Sequence, residues 1–169
     1  MGPQMLAGVL YLGAGLGMAA LLGVRRRWGL RSDPIAVPAR GEWVWLAGAT
    51  LFGGLLGPLL LLVGLRTTAA SAASLLLNIE GVLTALLAWF VFRENFDRRV
   101  ALGMALIVAG GLVLGSFRAE NDVSALGALA IAAACLCWAI DNNLTRKVSA
   151  GDAMLIANVK GFVAGTGNV

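Results

Sequence analysis

Histidine is absent from the 169 residues, tyrosine occurs once and cysteine only twice. Without histidine the chain lacks the commonest general acid–base group and the commonest metal ligand. Cys135 and Cys137 stand two apart in an apolar run, so on a helix they point to different faces and offer neither a disulfide scaffold nor a zinc site. Charge is scarce too, at 13% of residues, about half the share found in an ordinary soluble domain. So little charge cannot cover a soluble globule of this size, and a disordered chain would be richer in it still. What the chain has instead is apolar surface: 59% hydrophobic residues, 23 glycines and a mean hydropathy of +0.85. The class that remains is an integral membrane protein. No nucleophile stands beside a base and no ligand cluster appears, so no enzyme, cofactor or metal is expected. Gly13, Gly15 and Gly17 imitate half of a dinucleotide-binding fingerprint, but no strand precedes them.

Uncharged runs of 18 or more residues read as membrane-spanning helices, because at 1.5 Å per residue they bridge a hydrocarbon core of ~30 Å. Met5–Val24 and Trp43–Leu65 qualify, the second with Pro58 as its only helix-breaking feature. Ala69–Phe92 is long enough but holds Asn78 and Glu80 inside; Val100–Phe117 is the shortest complete span, and Ala125–Thr145 is apolar until Asp141. A sixth run starts at Ala153 and reaches Val169. Nothing alternates with period two, which excludes a β-barrel reading. The first run is a span and not a secretory signal, because no basic residue precedes it and three arginines follow it.

The basic residues alternate between loops. Arg25, Arg26, Arg27, Arg31 and Arg40 follow the first span, Arg93, Arg98 and Arg99 the third, and Arg146 and Lys147 the fifth; the two other loops hold only Arg66 and Arg118. By the positive-inside rule the rich loops are cytoplasmic and the N-terminus is outside, in a bacterial inner (plasma) membrane. Trp28, Trp43, Trp45, Phe96 and Phe117 sit at span ends, as aromatic belts do. The net charge of +4 is thus topological, and no nucleic acid partner is expected.

A shift of 150 residues lays Ala153–Asn168 on Pro3–Met18 with five identities in sixteen, modest in segments so rich in glycine and alanine. Five spans separate the copies, so the second enters from the opposite face, as in inverted-repeat transporters. The span 125–145 has no counterpart before Met5, which implies one span missing before Met1 and several after Val169. The expected whole is about ten spans in two units, with Met1 an internal or misassigned start and the remainder supplied by the same chain or a partner subunit.

The stretch Gly64–Leu114 (GLRTTAASAASLLLNIEGVLTALLAWFVFRENFDRRVALGMALIVAGGLVL) resembles the EamA-type repeat of the drug/metabolite transporter superfamily. There a small-residue run enters a span that ends in a Glu-containing turn and is followed by a glycine-rich helix. Cys137–Gly165 (CWAIDNNLTRKVSAGDAMLIANVKGFVAG) is similar to the opening of a second such repeat. Gly81 stands where the family usually has proline, which loosens the kink expected there. The resemblance implies an all-α, polytopic membrane helix bundle, part of a ten-span 5+5 inverted-repeat transporter. Residues 1–118 would be the first repeat without its first span, and 125–169 the start of the second.

Glu80 is the sharpest functional candidate. An ionised side chain at mid-bilayer costs ~2.5–3.5 kcal/mol on insertion scales measured for Asp, Lys and Arg, so it should face the bundle interior or a water cavity. Burial favours its neutral form, which makes proton exchange an expectation; the bland alternative is a hydrogen-bonded carboxyl that only helps helices pack. Asn78 shares a face with Ser71 and Ser74, either lining a cavity or gluing helices together. Asp141, Asn142 and Asn143 lie near the end of one span and Lys160 in the next, so an Asp141–Lys160 pair is geometrically open; Lys160 snorkelling to the headgroups is the plain alternative. Trp138 could stack on a substrate or simply fill the core. Glu94, in the turn Arg93-Glu94-Asn95, matches the family's cytoplasmic Glu and should pair with arginines and cap a helix. The spacings Gly13/Gly17, Gly53/Gly57, Gly111/Gly115 and Gly161/Gly165 allow close helix contact.

Two functions follow. The first is a secondary transporter of small metabolites or drugs working by alternating access, with proton coupling open. The second is a small structural or assembly membrane protein that oligomerises through its glycine faces. Either meets the lipid bilayer; the first also binds a small-molecule substrate.

Overall fold

The computed structural model describes residues 3–29, 36–95, 97–117, 124–148 and 151–169, with 115–117 described by backbone alone. Arg31, Phe96, Arg118 and the Phe117 side chain, all placed by sequence in loops or aromatic belts, lie outside the described residues. Every regular element among the described residues is helical. Four helices have the length and hydropathy to cross a membrane: Gln4–Arg27, Glu42–Leu65, Ala70–Phe90 and Ala125–Lys147.

Helix α1 (Pro3–Arg27) carries Arg25, Arg26 and Arg27 in its last turn, where cations offset the negative end of the helix dipole. The expected span 43–65 is a continuous helical run in three parts: α2 (Glu42–Ala49), a π-helical segment (Thr50–Leu56) and α3 (Gly57–Leu65). The irregularity therefore precedes Pro58 instead of falling on it. Proline has no N–H to give the carbonyl four residues back, which is Gly54, and the widened turn upstream absorbs that loss. The Asn168 amide donates to Gly54 O at 2.8 Å in place of the missing bond.

The span expected over 69–92 is interrupted. Helix α4 (Ala70–Leu77) stops at Asn78 and α5 (Ile79–Phe90) restarts directly after it. Ser74 donates back to Ser71 O at 2.7 Å, Asn78 Nδ2 donates to Ser74 O at 3.1 Å, and the Asn78 N–H takes Leu75 O at 3.2 Å. Short polar side chains thus compete for the carbonyls that would continue the helix and tighten its last turn. The chain leaves α5 through Arg93, whose φ of 54° is left-handed, and the Glu94 N–H closes on Ala88 O at 3.0 Å. Helices α6 (Arg98–Phe117), α7 (Ala125–Lys147) and α8 (Ala153–Asn168) complete the chain, α8 opening on Asp152, whose carboxylate accepts from Met154 N and Leu155 N.

The chain divides into two compact units, one of residues 1–55 and 144–169, the other of 56–143. In the first, α1 and α8 run antiparallel with their backbones in contact: a Cβ on Gly161 would lie 2.9 Å from Gly15 Cα, and one on Gly165 2.6 Å from Leu12 Cγ. Asn158 Nδ2 donates to Gly15 O at 2.7 Å across this seam. Leu46, Val148 and Ile156 form its buried apolar cluster, with Val159 against them. In the second unit, Ala73, Ile131 and Cys135 are buried beneath Leu61, Leu76, Leu77 and Leu83. Gly64 lets α3 approach Ile131, where a Cβ would lie 2.5 Å from its Cγ1. Outward faces stay apolar: Leu102, Leu106 and Leu112 on α6 are all more than 60% exposed, as lipid-facing positions require and as a soluble surface seldom tolerates.

Candidate functional site

The polar residues of the second unit converge on the helix break. Glu80 occupies the first turn of α5, one residue past Asn78 and in the middle of the span Ala70–Phe90. The sequence puts Asn142 on α7, 62 residues away, and its Nδ2 donates to Glu80 Oε1 at 3.0 Å. The same nitrogen lies 3.4 Å from Thr84 Oγ1. Asn143 Nδ2 bonds Thr84 O at 3.1 Å and its own helix's Ala139 O at 2.8 Å, which pins α7 to α5. The Cys135 thiol points at Leu76 O, 3.7 Å away, beneath the break.

Glu80 is half-buried, Asn142 exposed and Asn143 buried. The second carboxylate oxygen of Glu80 has no donor among the described residues. A carboxylate held by one amide, with one oxygen open, can accept a proton, a cation or a donor group of a ligand.

Three of the expected site residues come together in the second unit. Glu80, Asn142 and Asn143 meet. Asn78 does not join them: its amide is taken by Ser74 O and Leu75 O of its own helix, so the stripe Ser71, Ser74, Asn78 makes the break instead of lining a cavity with its hydrogen bonds. Trp138 packs on α3, where a Cβ on Gly57 would come 2.7 Å from Nε1, a contact that serves the core reading. Asp141 is buried on α7 at 9% exposure. Lys160 belongs to the first unit, where Nζ donates to Thr145 Oγ1 at 3.1 Å. Thr84 went unread in the sequence, although its place one turn beyond Glu80 puts both on one face.

A model of the EamA-like transporter family matches residues 1–116. An uncharacterized transporter of Methanothermobacter thermautotrophicus is 34% identical over 131 residues, 75% of this chain and 38% of its own length. A protein of Pseudomonas fluorescens, described as a probable 4-amino-4-deoxy-L-arabinose-phosphoundecaprenol flippase subunit ArnE, is 41% identical over 75 residues, 44% of this chain and 63% of its own. Its counterpart of the same description in Pseudomonas aeruginosa is 40% identical over 102 residues, 60% of this chain and 86% of its own. The chain thus covers less than two thirds of the first two relatives. No solved structure matches.

Proposed function

The chain belongs to the EamA-like transporter family, and from that premise we propose that Glu80, Thr84, Asn142 and Asn143 form the substrate or coupling site of a secondary transporter. Its membership and its apolar helices make it a multi-pass membrane protein of a transporter family. The proposal adds alternating access around this site, small metabolites or drugs as substrates, and Glu80 as the group that takes up and releases a proton. The observation that carries it is the 3.0 Å bond between Asn142 and Glu80 in the middle of an apolar span, a place where an ionisable side chain is by default a functional candidate.

In the same reading the whole transporter has ten spans in two inverted five-span repeats, residues 1–118 and 125–169 contributing to the first and second. It lies in the bacterial inner membrane with the N-terminus of this segment outside, and further helices of its own chain or a partner complete the site. Asp141 and Lys160 stand as its secondary candidates, as a gate or a substrate contact.

The test is flux. The whole transporter in vesicles is offered amino acids, sugars and cationic dyes, with Glu80→Gln and Glu80→Asp beside the native protein. A flux lost in Glu80→Gln and partly kept in Glu80→Asp supports the site; equal flux and equal pH dependence in all three defeats it.

The matches to ArnE favour a second reading, a subunit that flips a lipid-linked sugar across the membrane. It is distinguished by flux of a polyprenyl-phosphate sugar where the soluble panel shows none.

A further inference from the structure

One end of the first unit gathers exposed basic side chains. The described residues there carry Arg25, Arg26 and Arg27 at the end of α1, Arg40 before α2, and Arg146 and Lys147 at the end of α7. All six are exposed. Of the described carboxylates at this end, Glu42 Oε2 accepts the Ala39 N–H at 2.7 Å, and the buried Asp152 caps α8 through Met154 N at 2.9 Å and Leu155 N at 3.2 Å.

The segments that bear the cations are fastened to one another. Arg25 Nη1 reaches Met154 Sδ at 3.1 Å, which ties the end of α1 to the start of α8. The Asp152 N–H donates to Ala36 O at 2.8 Å, and Val148 N closes on Thr145 O at 3.0 Å. A Cβ on Gly151 would meet Pro38 Cγ at 3.3 Å. The positive charges therefore sit on a joined platform, not on independent tails.

Exposed apolar and aromatic side chains flank these cations in the sequence. Trp28 is 72% exposed, and Trp43, Trp45, Val24 and Leu21 are exposed as well. Indole rings at span ends mark the headgroup zone of a bilayer. Cations at the end of an apolar span, beside exposed indole rings, suit the phosphates of a bilayer surface better than a nucleic acid or an acidic protein.

We propose that this platform binds the headgroups of anionic phospholipids, with Arg26, Arg27 and Arg40 as the phosphate contacts. Guanidinium groups suit that role because their paired N–H donors match phosphate oxygens. The proposal is independent of the transport site, which lies in the other unit.

The test is lipid preference. The full chain in nanodiscs or detergent is titrated with phosphatidylglycerol and with phosphatidylcholine, and bound lipid is counted by native mass spectrometry at low and high salt. The native chain is expected to prefer phosphatidylglycerol, and the preference should shrink as salt screens it. Each arginine changed to glutamine at 26, 27 and 40 should lower the preference about fivefold, the equivalent of ~1 kcal/mol per charge near the surface. The variant R26K/R27K/R40K should keep the salt-sensitive part of the preference, which charge carries, and lose the part that the paired donors add. Equal retention of the two lipids by the native chain, or a preference indifferent to salt, overturns the proposal even where the glutamine variants fail to fold. So does a folded triple glutamine variant with the native preference.

Discussion

Glu80 shows how one residue can be tolerated where its charge is expensive. A carboxylate at mid-span has to find donors inside the protein, and Asn142 supplies one at 3.0 Å. An amide–carboxylate bond contributes about 1.5–3 kcal/mol. Changing Asn142 to Leu should therefore lower the stability of the native chain by about that amount in a detergent unfolding assay, and Glu80→Gln/Asn142→Leu should lose no more than the single change, since one interaction is removed in both. The amide at Asn158 tests a neutral case. Its bond to Gly15 O lies between apolar helices, and Asn158→Ala should cost about 0.6–1.7 kcal/mol, the range of interhelical bonds in lipid; an unchanged unfolding midpoint would mean that the seam is held by packing alone.

Among the elements, glycine separates two kinds of helix face. Gly161 has no room for a side chain, since its Cβ would stand 2.9 Å from Gly15 Cα. Gly161→Leu should push α8 off α1 and cost about 1–3 kcal/mol or more. Gly13 has nothing within 4 Å, and Gly13→Leu should be neutral or stabilising by up to about 1 kcal/mol, because leucine is the better helix former. Of the four glycine pairs read from sequence, Gly161/Gly165 closes an internal seam and Gly57 seats Trp138, whereas a Cβ on Gly13, Gly17 or Gly111 would meet nothing within 4 Å among the described residues. Arg93 offers a third test: Arg93→Gly should stabilise the turn by about 1–2 kcal/mol, the penalty for left-handed backbone in a residue with a Cβ.

Four of the expected spans, 5–24, 43–65, 69–92 and 125–145, fall on helices among the described residues that are long and apolar enough to cross a membrane, because an apolar run of that length has one physical meaning. The interruption at Asn78 was not legible, since periodicity over 69–92 reads as one helix and only the bonds of Ser74 and Asn78 to the backbone reveal a stop. The π-helical turn was half legible: Pro58 announced a lost bond, but not that the chain would widen upstream and call on Asn168, 114 residues away. Glu80 stood out in the sequence by its charge, and Asn142 by the motif around it. That the two would touch, and that Asn78 would not, depends on how α7 lies against α5, which no local pattern encodes.

For the whole molecule, membership of the EamA-like transporter family is the premise from which the proposal gives the meeting of Glu80, Thr84 and Asn142 a use beyond packing. The central claim is that this meeting point is reached by water during a transport cycle and is not a sealed core contact. The most direct measurement needs no knowledge of the substrate. A cysteine at Thr84 in the whole transporter is exposed to a membrane-impermeant maleimide from each side of sealed vesicles, with the native chain, whose Cys135 and Cys137 are buried, as the blank. Labelling at Thr84→Cys, at a rate that Glu80→Gln alters, is the expected result. A position that stays unlabelled from both sides would contradict it and leave Glu80 as a packing residue.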